Sequence, residues 1–512
     1  MKNPKQMLIK NIFSNWAMMF VSMIIAFFMS PFLVHNLGKE QYGIWALVLS
    51  IISYSGFLDA GMRQSLARYI PKYYAVKDYL KLNQVLSSTE AIYALAGTLV
   101  IIGTLIIAFF FADVFNVTEE LLPVLRITLI LIGLNEAIRF FFITRSALGP
   151  FHRYDIGNAI DILSAIANAL IIVYFIGKGY ELITLAIITI ATALIKFIIR
   201  SVYQKRLVPE VEYKIKYIDR QTIRELFEYG LVSFFIVIAW LVIFSSDNII
   251  IGIFQTTTDV TYYSIALTLI TYLRTLMSSI GVPLVPAVSH LDATSNLDEI
   301  NDLFIKLSNY LYYLSTTICV GIILFGSNFI YLWMGPDFQK TVNILHILIV
   351  PAAIYLPQVT SNSILLGIGK HRPLLYLLIG EATSKITLSL ILIQFWGIYG
   401  VAIGTAIPQT IIYLFIYPRL YHKITKASLS RFYLNSLRMI IASVIFTCPI
   451  GLLIKYYLLF DGWLGFAAAV SAVGIASGIG FWWKILTSYD KTRIVTKFLK
   501  FLPQNKEKSK KD

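Results

Sequence analysis

Residues 98–111 read Thr98-Leu99-Val100-Ile101-Ile102-Gly103-Thr104-Leu105-Ile106-Ile107-Ala108-Phe109-Phe110-Phe111. The run carries no charge and no alternation of polar with apolar positions, and it fills most of an apolar segment over 87–112. A helix of that length rises ~1.5 Å per residue and crosses about 30 Å of hydrocarbon. Backbone amides cannot stay unpaired in lipid, so a span is either a helix or a strand of a closed barrel. A continuous run of Ile, Leu and Phe without period two selects the helix.

The same pattern recurs from end to end. Spans are predicted over 10–35, 42–66, 87–112, 121–147, 154–176, 180–203, 225–253, 258–286, 302–333, 340–367, 373–396, 399–421, 433–457 and 462–486. Of 512 residues, 57% are hydrophobic and 14% charged, whereas a soluble domain carries about 25% charged residues. The expected fold class is an all-α integral membrane protein of about fourteen transmembrane helices. The start, Met1 to Trp16, is basic and then apolar, but the apolar stretch is too long for a signal peptide and reads as an uncleaved first helix. Cys319 and Cys448 both fall inside apolar runs and read as small core residues, with no disulfide or metal framework.

The net charge of +15 would suggest nucleic acid in a soluble protein. Here the cations lie between apolar runs and report topology, so no nucleic-acid partner is expected. With a cytoplasmic N-terminus, one set of loops holds Arg68, Lys72, Lys77 and Lys81; Arg145 and Arg153; Lys205, Arg206, Lys214, Lys216, Arg220 and Arg224; Lys370 and Arg372; and Arg419, Lys423, Lys426 and Arg431. The opposite loops hold only scattered cations such as Lys39 and Lys178, together with Asp113, Glu119 and Glu120. An even number of spans with both termini in the cytoplasm fits this asymmetry. The acidic segment 290–302 is the one loop against it. The basic linker 205–224 reads either as an amphipathic helix on the anionic inner leaflet or as a solvated connector.

The chain also repeats itself at an offset near 217. Leu37-Gly38-Lys39-Glu40-Gln41-Tyr42-Gly43 falls opposite Phe254-Gln255-Thr256-Thr257-Thr258-Asp259-Val260, Tyr79–Asn83 opposite Leu297–Asn301, and Leu148-Gly149-Pro150 opposite Leu366-Gly367-Ile368. Three matches in nearly one register argue for two pseudo-symmetric six-helix bundles, with the substrate path between the halves. The domains expected are an N-terminal lobe 1–204, the linker 205–224, a second lobe 225–424, two additional helices within 425–487 and a basic cytoplasmic tail 488–512.

No P-loop, Gly-x-Ser-x-Gly or His-Glu-x-x-His occurs, and the six histidines are isolated, so no catalytic or metal-binding residues are assigned and the chain is not expected to be an enzyme. The informative residues are ionisable groups inside spans, since a charge at the bilayer centre costs roughly 2.5–3.5 kcal/mol and marks a cavity or pathway by default. They include Asp59, Arg63, Glu136, Arg139, Asp247, Arg274, Glu381 and Lys385. Asp59 with Arg63, Glu136 with Arg139, and Glu381 with Lys385 stand three or four apart on one helix face and can neutralise each other locally. Asp247 and Arg274 have no partner at helical spacing. A cavity holding Arg63, Arg274 and Lys385 would be cationic and would suit a pyrophosphate, which guanidinium forks bind bidentately.

Asn36-Leu37-Gly38-Lys39-Glu40-Gln41-Tyr42-Gly43, Leu58-Asp59-Ala60-Gly61, Ser246-Asp247-Asn248-Ile249-Ile250-Ile251-Gly252 and Asn362-Ser363-Ile364-Leu365-Leu366-Gly367, in that order and spacing, resemble Wzx-type polysaccharide (O-antigen) flippases of the multidrug/oligosaccharidyl-lipid/polysaccharide exporter superfamily. The resemblance covers essentially the whole chain. It implies a MATE-like two-lobed fold and alternating access. It further implies movement of an undecaprenyl-pyrophosphate-linked oligosaccharide across the cytoplasmic membrane. By position Arg63 and Arg274 match the arginines thought to hold the pyrophosphate in related flippases, and Lys385 and Arg139 complete the candidate substrate-binding residues. Coupling to a sodium or proton gradient is implied as well, with Asp247 and Glu381 as candidate cation ligands and no other cofactor. Lipid-linked oligosaccharide, membrane lipids, a polysaccharide polymerase and glycosyltransferases are the implied partners. A drug/cation antiporter of the same fold is the alternative, and it would favour an acidic cavity. A membrane-embedded polymerase or ligase would need a large outer loop, and none is present.

Overall fold

The computed structural model describes residues 4–59, 61–281, 284–293, 297–457, 462–486 and 490–492. Among these residues the regular structure is helical throughout. In chain order the helices are α1 (Pro4–Ser53), α2 (Met62–Ala75), α3 (Tyr79–Phe109), the single turn α4 (Phe111–Val114), α5 (Leu122–Phe142), α6 (Tyr154–Ile176), α7 (Leu182–Leu207), α8 (Arg220–Phe254) and α9 (Thr257–Gly281). They continue with α10 (Leu284–Ala293), α11 (Leu297–Met334), α12 (Gln339–Tyr355), α13 (Val359–Gly367), α14 (His371–Ile411), α15 (Tyr417–Thr425), α16 (Leu429–Tyr457) and α17 (Gly462–Gly480). Of the basic tail expected over 488–512, all but 490–492 lies outside the described residues.

Eleven helical stretches among the described residues are long and apolar enough to cross a membrane. Two of them cannot cross only once. The stretches over 13–59 and 372–425 contain 47 and 54 residues, far beyond the ~20 that one crossing needs. Each is broken by a glycine in non-helical geometry, Gly38 at φ 81°, ψ 164° and Gly397 at φ 54°, ψ −134°. Side chains other than glycine's rarely tolerate positive φ, so these two positions turn the chain back. Counting those helices twice, and adding the charge-bearing α5 with its Arg126, Glu136 and Arg139, gives a helix for each of the fourteen predicted spans.

The second span differs from the continuous helix expected over 42–66. It tightens into a 3₁₀ turn at Tyr54–Asp59 and restarts as α2 behind Gly61 at φ 74°. A Cβ on Gly61 would lie 2.3 Å from the Gly230 carbonyl oxygen, so the break falls where two backbones touch. The twelfth span carries a second irregularity, a π-helical turn over Ile412–Ile416.

The repeat is visible in where helices begin. A shift of 217 carries Leu122, the first residue of α5, onto Gln339 of α12, and Tyr154 of α6 onto His371 of α14. A shift of 218 carries Tyr79 of α3 onto Leu297 of α11, and Gly179 onto Gly397, both at positive φ. The two copies of six are followed by α16 and α17.

Helix packing gathers residues 1–272 with 370–409 into one unit, and 273–369 with 410–512 into another. In the first, α1 packs on α6, α3 on α5 and α5 on α7. Its core includes Met62, Leu66, Leu86, Tyr93, Ala137, Phe140 and Leu226. The two halves of α14 approach closely at glycines. A Cβ on Gly400 would lie 2.1 Å from the Leu392 carbonyl oxygen, and one on Gly404 2.6 Å from the Ser389 nitrogen. Small residues of this kind let helices associate in lipid, where the hydrophobic effect gives no drive. In the second unit α11 packs on α12, α16 and α17. Hydroxyls join these helices: Thr317 lies 2.9 Å from Ser443 and 2.8 Å from Ser477, and Tyr313 donates to the Ser477 carbonyl at 2.8 Å.

The linker between the copies is neither an amphipathic helix nor a free connector. Between α7 and α8 the only helical turn is the 3₁₀ turn Ile215–Tyr217. Three polar side chains of α3 satisfy the linker's backbone. Asn83 donates to the Glu210 carbonyl at 3.3 Å and accepts from the Glu212 N–H at 3.0 Å. Ser87 donates to the Glu212 carbonyl and accepts from the Lys214 N–H. Ser88 accepts from the Asp219 N–H at 3.1 Å. Asp219 then caps α8 by accepting from the Thr222 N–H at 2.8 Å.

Candidate functional site

Asp247 lies inside α8, in a stretch where every neighbour is apolar or a small polar residue. Its side chain is 1% exposed and forms an ion pair with Lys385 of α14, equally buried, at 3.0 Å. The Tyr263 hydroxyl of α9 donates to the other carboxylate oxygen at 2.8 Å. The Thr405 hydroxyl, from the second half of α14, approaches the carboxylate at 3.3 Å. The Lys385 ammonium also donates to the Ile243 carbonyl, one turn earlier on α8. Beside it, Asn248 donates to Ser50 of α1 at 2.9 Å. A buried charge is costly unless paired and hydrogen-bonded, and each charge here has both kinds of partner. Glu381, 1% exposed, precedes Lys385 by four residues on α14. Helical spacing pointed to Glu381 as the partner of Lys385. The ammonium instead reaches Asp247, which is invisible to an i,i+4 count because the two lie far apart in the chain.

A second polar cluster forms where the second span breaks. The Tyr93 hydroxyl of α3 donates to Asp59 at 2.6 Å. Glu136 of α5 accepts from Ser55 at 2.7 Å and from the Arg139 guanidinium, whose Nε lies 2.8 Å from Oε2 and whose Nη2 reaches Oε1. That guanidinium also sits 4.5 Å from the Phe140 ring centroid. Arg139 is therefore neutralised by the partner three residues away that the sequence indicated. Arg63, one residue into α2, is exposed, and among the described residues no carboxylate comes within 4.0 Å of it.

Arg274 belongs to the second unit. It stands on α9 within electrostatic reach of the Tyr355 and Tyr413 phenols, whose rings lie 5.7 Å apart. Tyr413 sits in the π-helical turn, and its carbonyl accepts from the buried Gln358 amide. Such turns free backbone groups and recur at functional sites.

Two other pairs of charges are held structurally. The Arg200 guanidinium holds both oxygens of Asp161, at 2.8 and 2.7 Å, and Arg145 pairs with Glu90. Thus of the four cationic candidates, Lys385 and Arg139 are ion-paired, Arg63 is not, and Arg274 lies among tyrosines. The sequence reading missed Tyr263, Thr405 and Tyr93. Hydroxyl-bearing residues in apolar helices are common, and only tertiary contact makes these three ligands of carboxylates.

Eleven helical stretches long and apolar enough to cross a membrane among the described residues, two of them turned back at a glycine, define a multi-pass membrane protein. The chain belongs to the family described as "Polysaccharide biosynthesis protein", whose profile matches residues 8–292. It is 20% identical over 498 residues to the membrane protein EpsK of Bacillus subtilis (strain 168), covering 96% of this chain and 98% of EpsK. It is 23% identical over 407 residues to the membrane protein MJ1068 of Methanocaldococcus jannaschii, covering 77% and 80% of the two. Among solved structures it resembles the lipid II flippase MurJ in its inward closed conformation, with a TM-score of 0.72 at 13% identity over 96% of this chain and 99% of that one. An inward-facing multidrug resistance MATE family transporter of the MOP superfamily gives a TM-score of 0.64 at 14% identity, covering 82% and 94%. The fold is that of these two solved structures.

Proposed function

We propose that the chain is a flippase that carries a lipid-linked oligosaccharide, joined through pyrophosphate to undecaprenol, from the cytoplasmic to the outer leaflet of the cytoplasmic membrane. Family membership and a fold shared with MurJ support this reading. The observation that carries it is Arg63, an exposed guanidinium of the second span with no carboxylate within 4.0 Å among the described residues. A guanidinium left free presents a fork matched to phosphate oxygens. Arg274, with tyrosines around it in the second unit, is a further candidate for contact with the cargo in this reading. The lipid tail stays in the bilayer while the headgroup passes, and the two six-helix copies alternate access. Both termini are cytoplasmic, by the Lys and Arg bias of the loops. Glycosyltransferases supply the cargo and a polysaccharide polymerase takes it up.

The test is reconstitution in liposomes with undecaprenyl-pyrophosphate-linked oligosaccharide, following its appearance in the outer leaflet. The wild type moves it, while Arg63→Ala and Arg274→Ala slow it at least tenfold. No movement by the folded wild type rejects the reading. Proton-linked export of cationic drugs by the same vesicles would establish the antiporter alternative instead.

A further inference from the structure

The family resemblance implies a coupling cation, sodium or proton, at Asp247 and Glu381. Whether a sodium ion fits can be judged from the groups around Asp247. A hard cation requires several oxygens converging on one point. Such oxygens are present: a carboxylate oxygen of Asp247 and the Ile243 carbonyl both face a common point between α8 and α14. That point holds the Lys385 ammonium, 3.0 Å from the carboxylate and hydrogen-bonded to the carbonyl. The other carboxylate oxygen accepts from Tyr263 at 2.8 Å. Lys385 is 1% exposed along its whole side chain, so its ammonium is fixed in place rather than waving at a surface.

The donor set therefore does not fit a sodium ion. A second cation would stand within a few ångströms of the ammonium, in a medium where like charges repel strongly, and would share one carboxylate with it. Glu381 does not reopen the site, because an ion held there would face the same ammonium one helical turn away. We infer that Lys385 is a tethered cation which closes the Asp247 site to sodium, so that this chain completes its transport cycle with no sodium ion bound at Asp247. The inference concerns the driving cation and holds whether the cargo is a glycan or a drug.

Thermal unfolding of the purified full chain in sodium chloride and in choline chloride at equal ionic strength tests it without any cargo. The wild type unfolds at the same temperature in both salts. Lys385→Ala leaves the Asp247 carboxylate facing an empty place among oxygens, and it gains a saturable, sodium-specific rise in unfolding temperature. Adding Asp247→Asn to that variant removes the gain. A saturable sodium-specific rise in the wild type that Asp247→Asn abolishes overturns the inference. So does a folded Lys385→Ala that is indifferent to sodium. If Lys385→Ala does not fold, the wild-type comparison still decides. In vesicles that carry out transport, collapsing the sodium gradient leaves the wild-type rate unchanged. A vesicle assay that fails for want of the right cargo leaves the unfolding result standing.

Discussion

The carboxylate of Asp247 and the ammonium of Lys385 meet at 3.0 Å, with each side chain 1% exposed, and the two residues lie on helices from opposite ends of the second sequence copy. The pair is satisfied as a unit and unsatisfied in halves. Removing one partner from a buried pair leaves an uncompensated charge and typically costs about 3–5 kcal/mol, whereas replacing both with apolar groups is often neutral. Lys385→Met and Asp247→Leu should each lower the unfolding temperature sharply, and the double variant should recover most of the loss. A double-mutant cycle on detergent-solubilised protein measures this coupling.

Arg63 on α2 and Arg139 on α5 should separate by phenotype. Arg63 has no carboxylate partner among the described residues, so Arg63→Ala should leave thermal stability close to wild type and lower cargo movement at least tenfold. Arg139 holds both oxygens of Glu136. Arg139→Ala should lower stability, and Glu136→Gln in the same chain should restore part of it. If Arg139→Ala instead abolishes movement while melting normally, the guanidinium serves the cargo and not the fold.

Gly400 and Gly404 bring the two halves of α14 into backbone contact. A Cβ at Gly400 would sit 2.1 Å from the Leu392 carbonyl oxygen, where no side chain can give way. Gly400→Val should cost about 1–3 kcal/mol, the usual range for overpacking, and should move Thr405 away from Asp247. Gly380→Ala is the control, because a Cβ there meets nothing within 4 Å. Unfolding temperatures of the two variants give the comparison.

The linker should open on acidification. Hydrogen bonds from the Thr222 hydroxyl and N–H hold the Asp219 carboxyl below the usual carboxylate range. A lowered pKa in the fold means that the carboxylate contributes stability above its unfolded value and loses it as pH falls through its folded one. Limited proteolysis between Val208 and Asp219 should therefore accelerate as pH drops into and below the carboxylate range. Asp219→Ala should be cut quickly at every pH. Asn83→Ala, which frees the Glu210 carbonyl and the Glu212 N–H, should have the same effect at neutral pH.

The membrane made most of the fold legible. Lipid forbids bare backbone, so long apolar runs could only be helices, and α6 matches the span drawn over 154–176 residue for residue. The turns at Gly38 and Gly397 separate predicted spans at the same places. The break at Tyr54–Gly61 was not read, because the apolar run continues across it. Its signal was Ser53, Ser55, Gly56 and Gly61 clustered in one span, and its cause is the contact with Gly230 on another helix. Within the site, the Glu136–Arg139 pair was legible because helical spacing fixes it. The Asp247–Lys385 pair was not, because tertiary packing chooses among several carboxylates and hydroxyls that sequence distance leaves equivalent.

The stretch from Glu210 to Asp219 is a strut of fixed length, not slack rope. Asn83, Ser87 and Ser88 of α3 grip it in register. Deleting a residue there would slide every carbonyl off its grip, whereas the turn at Gly179, with open space around it, can absorb an insertion. The two joints thus differ in their tolerance of length change, and a reporter domain belongs in the second.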